Sequence, residues 1–418
     1  MDTDPLRPNA FRSKESDVIN LELPRKLAPA VHQAAAVATE VFRPISRSYD
    51  RAEHARPKEL DMLAAVIDGL NDAGQGGSGA AGVRRSEPTT GGIRNGTNLS
   101  TVLSIIELCW GDVGLLLSLP QQGLGNAAVA SVADEEQLKR FGHLWAAMAI
   151  TEPGCGSDSA AITTTARLDG EHYVLNGEKI FVTAGSRCDA VVVWATLDKR
   201  LGRAAIKSFL VEKGTPGLEV VRLEDKLGIR ASDTATLRLD DVRVPTRNLL
   251  GSPEIDTERS FAGVMQTFDN TRPLVAAMAV GVARAALDET RRLLTEAGVE
   301  IDYDRRPAAQ SAAAATFLEL ESDYEAAYLL TLRAAWMADN ARPNSLEASM
   351  AKAKAGRTAT DVTLRCVALA GTFGYSEDSL LEKWARDAKI LDIFEGTQQI
   401  QKLIIARRLL GKSSAELR

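Results

Sequence analysis

The sequence predicts an α+β protein in which a β domain separates two helical regions. Apolar residues recur at helical intervals before residue 145, alternate with polar residues between 146 and 253, and return to helical intervals from 254 onward. We therefore expect an N-terminal helical domain (1–145), a middle β domain of barrel or sandwich type (146–253) and a C-terminal helical bundle domain (254–418).

The N-terminal region contains an amphipathic helical stripe. Its apolar residues follow one another at intervals of three and four residues: Leu60, Leu63, Ala64, Ile67 and Leu70. Two Gly-rich stretches, 71–82 and 88–96, are predicted to be loops between helices rather than linkers between independent domains.

Turn dipeptides divide the β region. Asp169-Gly170 and Asn176-Gly177 both suit the positive φ angles of tight hairpin turns, so we expect a strand before, between and after them. Alternating apolar residues predict further strands at 190–197, 208–213, 218–223 and 234–244.

The C-terminal region is rich in Ala and shows two helical stripes. The first consists of Leu274, Ala277, Met278, Gly281, Val282 and Ala285. The second consists of Ile400, Leu403, Ile404 and Leu410, and Gly411 follows it at a position where helices commonly end.

Composition limits the class of protein. The 418 residues carry 50 Lys and Arg against 56 Asp and Glu, a formal net charge of −6, with 45% hydrophobic and 25% charged residues. These values are typical of soluble globular proteins and exclude the disordered and fibrous classes. The negative balance provides no basic field for nucleic acid or for an anionic membrane surface.

Signals for targeting and for metal binding are weak. The uncharged run Val113–Ala133 is long enough to cross a bilayer, but Pro120 and nearby glycines interrupt it, so no membrane span is expected. The N-terminus is acidic and lacks an apolar signal core, which favours a cytoplasmic location. Four cysteines and four histidines are scattered, which predicts neither a disulfide scaffold nor a metal site.

Two Gly-containing segments are candidate ligand sites. GLGNAA, at Gly123 to Ala128, fits a dinucleotide fingerprint formally, but it follows a helical stretch instead of a strand, so we expect no Rossmann site there. TEPGCGSD, at Thr151 to Asp158, offers hydroxyls and two glycines that allow close approach of a ligand. A plain turn between a helix and a strand explains that segment equally well.

Three charged segments have both a functional and a structural interpretation. In IFEGTQQIQ, Glu395 follows Ile393 and Phe394, and apolar neighbours would raise the pKa of a carboxylate toward the range of a general base. The dipole of the following helix would also favour a Glu there. RDAKI and FDNTRP each place an Arg near an Asp, which indicates an ion pair or, for Arg272, a contact with a ligand phosphate or with the active carboxylate.

These motifs resemble, together and in order, the acyl-CoA dehydrogenase flavoproteins. The motifs are AITEPGCGSD, LNGEKIFVTAGS, KLGIRASDTATLRLDDVRVP, FDNTRP and LLEKWARDAKILDIFEGTQQIQKLIIAR. The resemblance covers nearly the whole chain from about residue 25 onward. The resemblance implies a C-terminal four-helix bundle that drives tetramer formation, with FAD between it and the β domain. It also implies oxidation of an acyl-CoA thioester to the trans-2-enoyl-CoA, with electrons passing to an electron-transferring flavoprotein.

The resemblance also implies roles for individual residues. Glu395 stands at the family's base position, and its backbone N–H would hold the thioester oxygen. The base position that some members use instead is occupied here by Thr271, which cannot act as a base at neutral pH. The implied FAD contacts, with Thr151 near flavin N5, are Met148, Ile150, Thr151, Gly156, Ser157, Phe181, Val182, Thr183, Thr397 and Gln399. The implied acyl-CoA contacts are Ser157, Asp269, Thr271, Arg272 and Gly396.

Three departures from the family pattern stand out. Phe181 replaces the usual Trp, which is a tolerable exchange of aromatic side chains. The stretch Glu296–Gln310 lacks the R-x-x-F-G whose Arg reaches the neighbouring subunit's FAD, and 368–372 lacks the Q-x-x-G-G that receives the adenosine half. A homologous partner chain could supply the missing contacts, or Arg305 or Arg306 could replace the Arg within a homomer.

Alternatives to a dehydrogenase remain at this point. An acyl-CoA oxidase or flavin monooxygenase would share the fold but let reduced flavin meet oxygen. A non-catalytic subunit of a heteromer would lack tightly held FAD, although the retained Glu395 argues against it. The motifs leave the length and type of the acyl chain undefined.

Overall fold

A computed structural model of the chain describes residues 25–64, 96–120, 124–255 and 262–412, together with Glu416. The side chains of 262–270 are outside this description. Ile67 and Leu70, the last two residues of the predicted N-terminal stripe, also lie outside it. The predicted loops at 71–82 and 88–95 also lie outside the described residues.

The N-terminal region is helical, as predicted. A further helix starts at residue 58 and includes Leu60 and Leu63. The other helices are α1 (Ala28–Val37), a π-helical turn (Ala38–Phe42), α2 (Arg43–Arg51), α3 (Thr97–Gly111), α4 (Val113–Leu116), α5 (Leu124–Val132) and α6 (Glu135–Phe141). The helix α6 begins with a capping box, in which Asp134 and Gln137 each accept a hydrogen bond from the other's backbone N–H.

GLGNAA is not a dinucleotide fingerprint in the structure, because Gly125 lies inside α5. A Cβ there would come within 2.4 Å of the carbonyl oxygen of Ala146, so this glycine lets the helix pack directly against the first strand. The run Val113–Ala133 is divided into α4 and α5. Among the helices of the described residues, none has the length and apolar character needed to cross a bilayer.

The middle region forms one mixed sheet of seven strands within the described residues. The strands are β1 (Ala146–Ala149), β2 (Thr165–Asp169), β3 (His172–Thr183), β4 (Ala190–Thr196), β5 (Ile206–Glu212), β6 (Leu218–Leu223) and β7 (Thr234–Pro245). Their order is β1-β4-β2-β3-β7-β6, and β5, which lies off this path, also pairs with β4. The strands β1 and β2 run parallel to β4, and the remaining pairs are antiparallel.

The hairpin predicted at Asp169-Gly170 is present between β2 and β3, but the one predicted at Asn176-Gly177 is wrong. The strand β3 continues through these residues, and its register against β7 shifts between Leu175 and Gly177. The Asn176 side chain exchanges hydrogen bonds with Asp241 on β7, and a Cβ at Gly177 would lie 2.4 Å from the Thr164 hydroxyl. The dipeptide therefore forms a β-bulge that lets β3 pass close to the chain before β2.

The C-terminal region is a helical bundle. Its helices are α7 (Ala262–Glu296), α8 (Ala312–Asp339), α9 (Ser345–Ala370), α10 (Thr372–Tyr375), α11 (Leu381–Leu391) and α12 (Gln398–Leu410). The predicted stripe on α7 is buried or partly buried, and Gly411 ends α12 in the left-handed conformation, as predicted. The stripe on α12 is not core, since Leu403 and Leu410 are exposed.

Three parts of the chain meet at a buried group of charges. Lys383 on α11 donates to Asp387 at 2.5 Å and lies 2.7 Å from Asp112, which begins α4. Asp387 also accepts from the backbone N–H of Ile229, in the loop between β6 and β7. A Cβ at Gly228 would meet the backbone of Arg386 at 2.4 Å, so the glycine permits this close docking. This junction fixes α11, the helix that leads into the EGT segment.

Candidate active site

Glu395 lies in a turn between α11 and α12 whose backbone is unusual. Its φ is 56° and that of Gly396 is 97°, so two successive residues occupy the left-handed region. A non-glycine residue in this region is strained and often marks a functional site. Thr397 then caps α12 by accepting from the N–H of Ile400, which confirms that the segment enters the final helix.

The carboxylate of Glu395 has one hydrogen-bond donor among the described residues. The Thr271 hydroxyl, on α7, donates to its Oε2 at 2.7 Å. Burial raises the pKa of Glu395, while the Thr271 hydrogen bond and the charges of Arg272 and Lys352 partly oppose that rise. The direction agrees with the sequence prediction, but Ile393 is 45% exposed, so the protein interior as a whole provides the burial.

Two side chains hold the backbone of this turn. Lys352 on α9 is fully buried and donates from Nζ to the carbonyl oxygen of Gly396 at 2.6 Å. Gln401 donates from Nε2 to the carbonyl oxygens of both Glu395 and Gly396, at 3.2 Å each. Sequence reasoning missed both residues, because a lysine between alanines gives no sign that it points inward.

A second group of residues surrounds Thr151 in the β domain. Glu152 is buried, and its two carboxylate oxygens accept from the N–H and hydroxyl groups of Thr163 and Thr164. Lys179 on β3, also fully buried, donates to Glu152 at 2.8 Å and to the carbonyl oxygen of Ile150 at 3.2 Å. Burial opposes ionisation, but Lys179 and the two threonines bring the pKa of Glu152 down to about 2. This ion pair anchors the TEPGCGSD turn.

Phe181 stands beside that turn on a second irregularity of β3. The register against β7 shifts between Lys179 and Val182, and the N–H of Ile180 donates to the carbonyl oxygen of Thr151 at 2.9 Å instead. Phe181 has a φ of 57° and is 61% exposed. The bulge thus turns an aromatic ring outward next to Thr151, as bulges near active sites often do.

Five of the predicted cofactor contacts lie on the TEPGCGSD turn or on β3: Thr151, Gly156, Ser157, Phe181 and Thr183. Within the part of the chain that the structure describes, the hydroxyls of Thr151, Ser157 and Thr183 have no hydrogen-bond partner. A Cβ at Gly156 would meet only the Thr151 methyl group, at 3.7 Å. An exposed ring, unpaired hydroxyls and open space are the features that an isoalloxazine ring system of FAD would use.

Family models match most of the β domain and the helical bundle. The model of the acyl-CoA dehydrogenase middle domain covers residues 147–242, and that of the C-terminal domain covers 261–410. The short-chain specific acyl-CoA dehydrogenase of Clostridium acetobutylicum is 34% identical over 365 residues, which cover 84% of this chain and 94% of that protein. The chain belongs to the acyl-CoA dehydrogenase family.

Two other relatives agree with this assignment. The structure of butyryl-CoA dehydrogenase from Megasphaera elsdenii superimposes with a TM-score of 0.79 at 28% identity, covering 94% of this chain and all of that one. A subunit of the caffeyl-CoA reductase-Etf complex of Acetobacterium woodii is 33% identical over 333 residues, covering 78% of this chain and 86% of that subunit. The acyl-CoA dehydrogenase fold predicted from the motifs is thereby confirmed.

The other sequence-predicted site residues of this acyl-CoA dehydrogenase differ in exposure. The side chain of Val182 is buried in the sheet core, and Met148 and Ile150 pack against apolar clusters. Gln399 is exposed on α12, and the side chain of Asp269 lies outside the described residues.

In the RDAKI motif, Arg386 does not pair with Asp387, the nearby Asp that the sequence suggests. Arg386 bonds to Asp50 and Glu382 rather than to Asp387, because adjacent helical residues point in different directions. Arg272 is buried, and its charge acts on Glu395 and Lys352. Arg272 therefore lies within electrostatic range of Glu395, which favours one of its two functional interpretations, a contact with this carboxylate.

One acidic cluster resembles a metal site in composition. Glu53, His54 and Asp225 bring possible ligand atoms within 4.8 Å of one another. The carboxylate of Glu53 already accepts from Arg230 and from the N–H of Lys226, so ion pairing explains this grouping. The four cysteines are buried thiols without disulfide bonds.

Proposed function

We propose that this acyl-CoA dehydrogenase converts a short-chain acyl-CoA to the trans-2-enoyl-CoA, with Glu395 as the base that removes the α proton. One observation supports this role above all. Glu395 is a carboxylate with a raised pKa that receives a single described hydrogen bond, in a strained turn between two helices. A base must be able to accept a proton, and this environment leaves that capacity intact.

Thr271 and Glu395 have different roles in the removal of the α proton. The Thr271 hydroxyl donates to Oε2 and orients the carboxylate, while Oε1 accepts no hydrogen bond from a described residue. We assign Oε1 as the atom that takes the α proton, which the thioester carbonyl makes acidic. Thr271 itself cannot replace Glu395, because a neutral hydroxyl does not accept a proton at neutral pH.

The backbone of the same turn offers a donor for the thioester oxygen. The N–H of Glu395 donates to no other residue in the described ranges, and the positive φ turns this peptide away from the helical ladder. We propose that it binds the thioester oxygen, where negative charge develops as the α proton leaves. Arg272 adds a nearby positive charge.

The β domain supplies the cofactor wall. FAD, when bound, accepts the hydride that leaves the β carbon. We propose that Phe181 lies against the flavin ring and that the free hydroxyls of Thr151 and Thr183 donate hydrogen bonds to it. Ser157 and Gly156 lie where the cofactor and the CoA would approach each other. Asp269, Gly396, Thr397 and Gln399 complete the proposed contacts.

Relatives support the choice of substrate and electron acceptor. The Clostridium relative is named for short-chain substrates, and the Acetobacterium relative is a subunit of a complex with Etf. We therefore propose short-chain acyl-CoA as the substrate and an electron-transferring flavoprotein as the acceptor. A cytoplasmic location belongs to the proposal, because coenzyme A thioesters are intracellular metabolites.

Exposed apolar side chains on the bundle support an oligomer. Leu364, Phe373, Tyr375, Leu409 and Leu410 are all exposed in the single chain. Large exposed apolar side chains commonly mark protein interfaces. We propose a tetramer, either of this chain alone or with a homologous chain that supplies the missing R-x-x-F-G and Q-x-x-G-G contacts.

An anaerobic experiment tests the proposed reaction. The purified chain, with FAD and butyryl-CoA, should bleach the flavin and yield the trans-2-enoyl product, and in air it should reduce an electron-transferring flavoprotein with little hydrogen peroxide. Peroxide as the main product would favour the oxidase. A homotetramer with close to one FAD per chain and full activity would exclude the need for a partner chain. A colourless, inactive chain that gains both properties on co-expression with a homologue would establish the heteromer.

A further inference from the structure

Lys352 is a buried cation that no carboxylate of the described residues neutralises directly. Its side chain is fully buried on α9, and no described carboxylate oxygen lies within salt-bridge distance of its Nζ. Its ammonium group instead donates to the carbonyl oxygen of Gly396 at 2.6 Å. Burying an unpaired charge lowers the free energy of unfolding, so the presence of this one indicates that the charge has a role.

The packing brings this lysine to the turn. Gly356 lies one helical turn after Lys352, and a Cβ there would meet the carbonyl oxygen of Leu391 at 2.7 Å. The missing side chain lets α9 approach the end of α11 closely. Gln398, at the start of α12, also donates to the carbonyl oxygen of Ala353. The turn that carries Glu395 is thus seated on α9 at both of its ends.

The charge of Lys352 also reaches the carboxylate of Glu395. The ionisable groups that act on Lys352 are Asp392 and Glu395, which stabilise its charge, and Arg272, which opposes it. Burial lowers the pKa of Lys352 to about 8, so the side chain is largely protonated at neutral pH. Glu395 is influenced in turn by Arg272, Lys352 and the Thr271 hydroxyl.

We propose that Lys352 is a positioning residue for the general base: its hydrogen bond to Gly396 holds the Glu395–Gly396 turn in its left-handed conformation, and its charge favours the ionised carboxylate. The proposal rests on the proposed role of Glu395. It assigns a function to a residue whose ammonium group bonds to the backbone of the turn. Gln401 shares the first task, because it donates to the same carbonyl oxygens, but it is neutral and cannot perform the second.

Three variants separate the two tasks. Lys352→Met removes the hydrogen bond and the charge at similar length, Lys352→Arg keeps both, and Gln401→Met removes a neutral donor only. For each, flavin content, KM, the limiting rate of flavin reduction by butyryl-CoA and its pH profile are measured on the flavin-loaded enzyme. If Lys352→Met does not fold, Lys352→Gln replaces it; this variant removes the charge and leaves a neutral donor, so an unmoved acid limb overturns the proposal.

We expect Lys352→Met to lower the limiting rate by about tenfold to a hundredfold, since small misplacements of a catalytic group cost that much. KM and flavin content should stay close to wild type. The acid limb of its pH profile should move about one unit upward, because the carboxylate loses a nearby positive charge. Lys352→Arg should restore part of both effects, and Gln401→Met should lower the rate without moving the limb.

Two results would overturn the proposal. One is a Lys352→Met limiting rate within threefold of wild type, and the other is a fall in rate with an unmoved acid limb, which a purely structural lysine would give. Glu395→Gln separates this proposal from the proposed function. If Glu395→Gln is inactive while Lys352→Met behaves like wild type, only the role of Lys352 is refuted, whereas an active Glu395→Gln would refute the base itself.

Discussion

Glu152 in the β domain and Glu395 in the helical bundle are two carboxylates near buried lysines, yet their environments shift their pKa values in opposite directions. Glu152 lies 2.8 Å from Lys179 and accepts from two threonines, and its pKa falls to about 2. Glu395 receives one described hydrogen bond, its neighbouring lysine donates to a carbonyl oxygen instead, and its pKa is raised. The difference shows that a buried lysine lowers the pKa of a carboxylate strongly where it pairs with it directly, as Lys179 does, and much less where its ammonium group donates to a carbonyl oxygen.

The two carboxylates also differ in whether they stabilise the turn beside them. Glu152 and Lys179 make charge-assisted hydrogen bonds to each other and to nearby groups, so the pair fixes the turn that carries Thr151, and the low pKa of Glu152 keeps it ionised at neutral pH. The turn at Glu395 is fixed through its backbone carbonyls, and the carboxylate stays available. In the β domain the carboxylate itself stabilises a turn. At Glu395 the backbone carbonyls hold the turn, which leaves the carboxylate for the proposed proton transfer.

The largest effect on stability is expected from Glu152→Gln. The change leaves the buried ammonium of Lys179 without its counter-ion, which costs on the order of 3 to 5 kcal/mol of unfolding free energy. Denaturant titration with excess FAD measures it. Glu178→Gln, on the exposed neighbour of Lys179, is the control and should stay within about 0.5 kcal/mol of wild type. A Glu152→Gln variant as stable as this control would show that the pair does not anchor the turn.

A smaller effect is expected from Thr271→Val, which removes the hydroxyl at nearly constant shape. The lost hydrogen bond favours the ionised form of Glu395, and a bond to a charged group contributes about 1.5 to 3 kcal/mol. The pKa of Glu395 should therefore rise by roughly one to two units, and the acid limb of flavin reduction should move upward with it. A limb that stays in place, or moves to lower pH, would contradict the assigned hydrogen bond.

The smallest effect on stability is expected from Thr151→Ala. The backbone carbonyl of Thr151 keeps its bond to Ile180, and the hydroxyl has no described partner, so unfolding free energy should change by less than about 0.5 kcal/mol. Flavin reduction should slow more than substrate binding weakens, because the lost bond would serve the flavin as it is reduced. The exposed Thr295→Ala serves as the control, and a single-turnover rate equal to that of the control would argue against a flavin contact.

Local patterns predicted much of the fold. The α–β–α order, the strands β4 to β7, the turn at Gly170 and the helix end at Gly411 all follow from periodicity and turn chemistry within a few residues. The pKa of Glu395 is raised in the direction predicted from Ile393 and Phe394, although Ile393 is itself 45% exposed. Asn176-Gly177 was wrongly predicted as a hairpin, because a bulge and a hairpin turn use the same residues and only the register with β7 distinguishes them.

Long-range packing decided the rest. Lys179, Lys352 and Lys383 are all fully buried, but each lies in a sequence where a solvent-facing lysine would fit equally well. Their partners are distant in the chain, as with Lys383 and Asp112. Arg272 is predicted to contact a ligand phosphate or the carboxylate of Glu395, and only the folded structure shows that its charge acts on that carboxylate.

Single-turnover reduction of FAD by butyryl-CoA, compared between wild type and Glu395→Gln, tests the central claim most directly. Thr271 can still donate to the amide oxygen, so the variant should fold, bind FAD and bind acyl-CoA as the wild type does. Because an amide cannot accept the α proton, flavin reduction should slow by about 10²- to 10⁴-fold or more. Bleaching of the flavin by the variant at near the wild-type rate would show that another group removes the proton and would contradict the account.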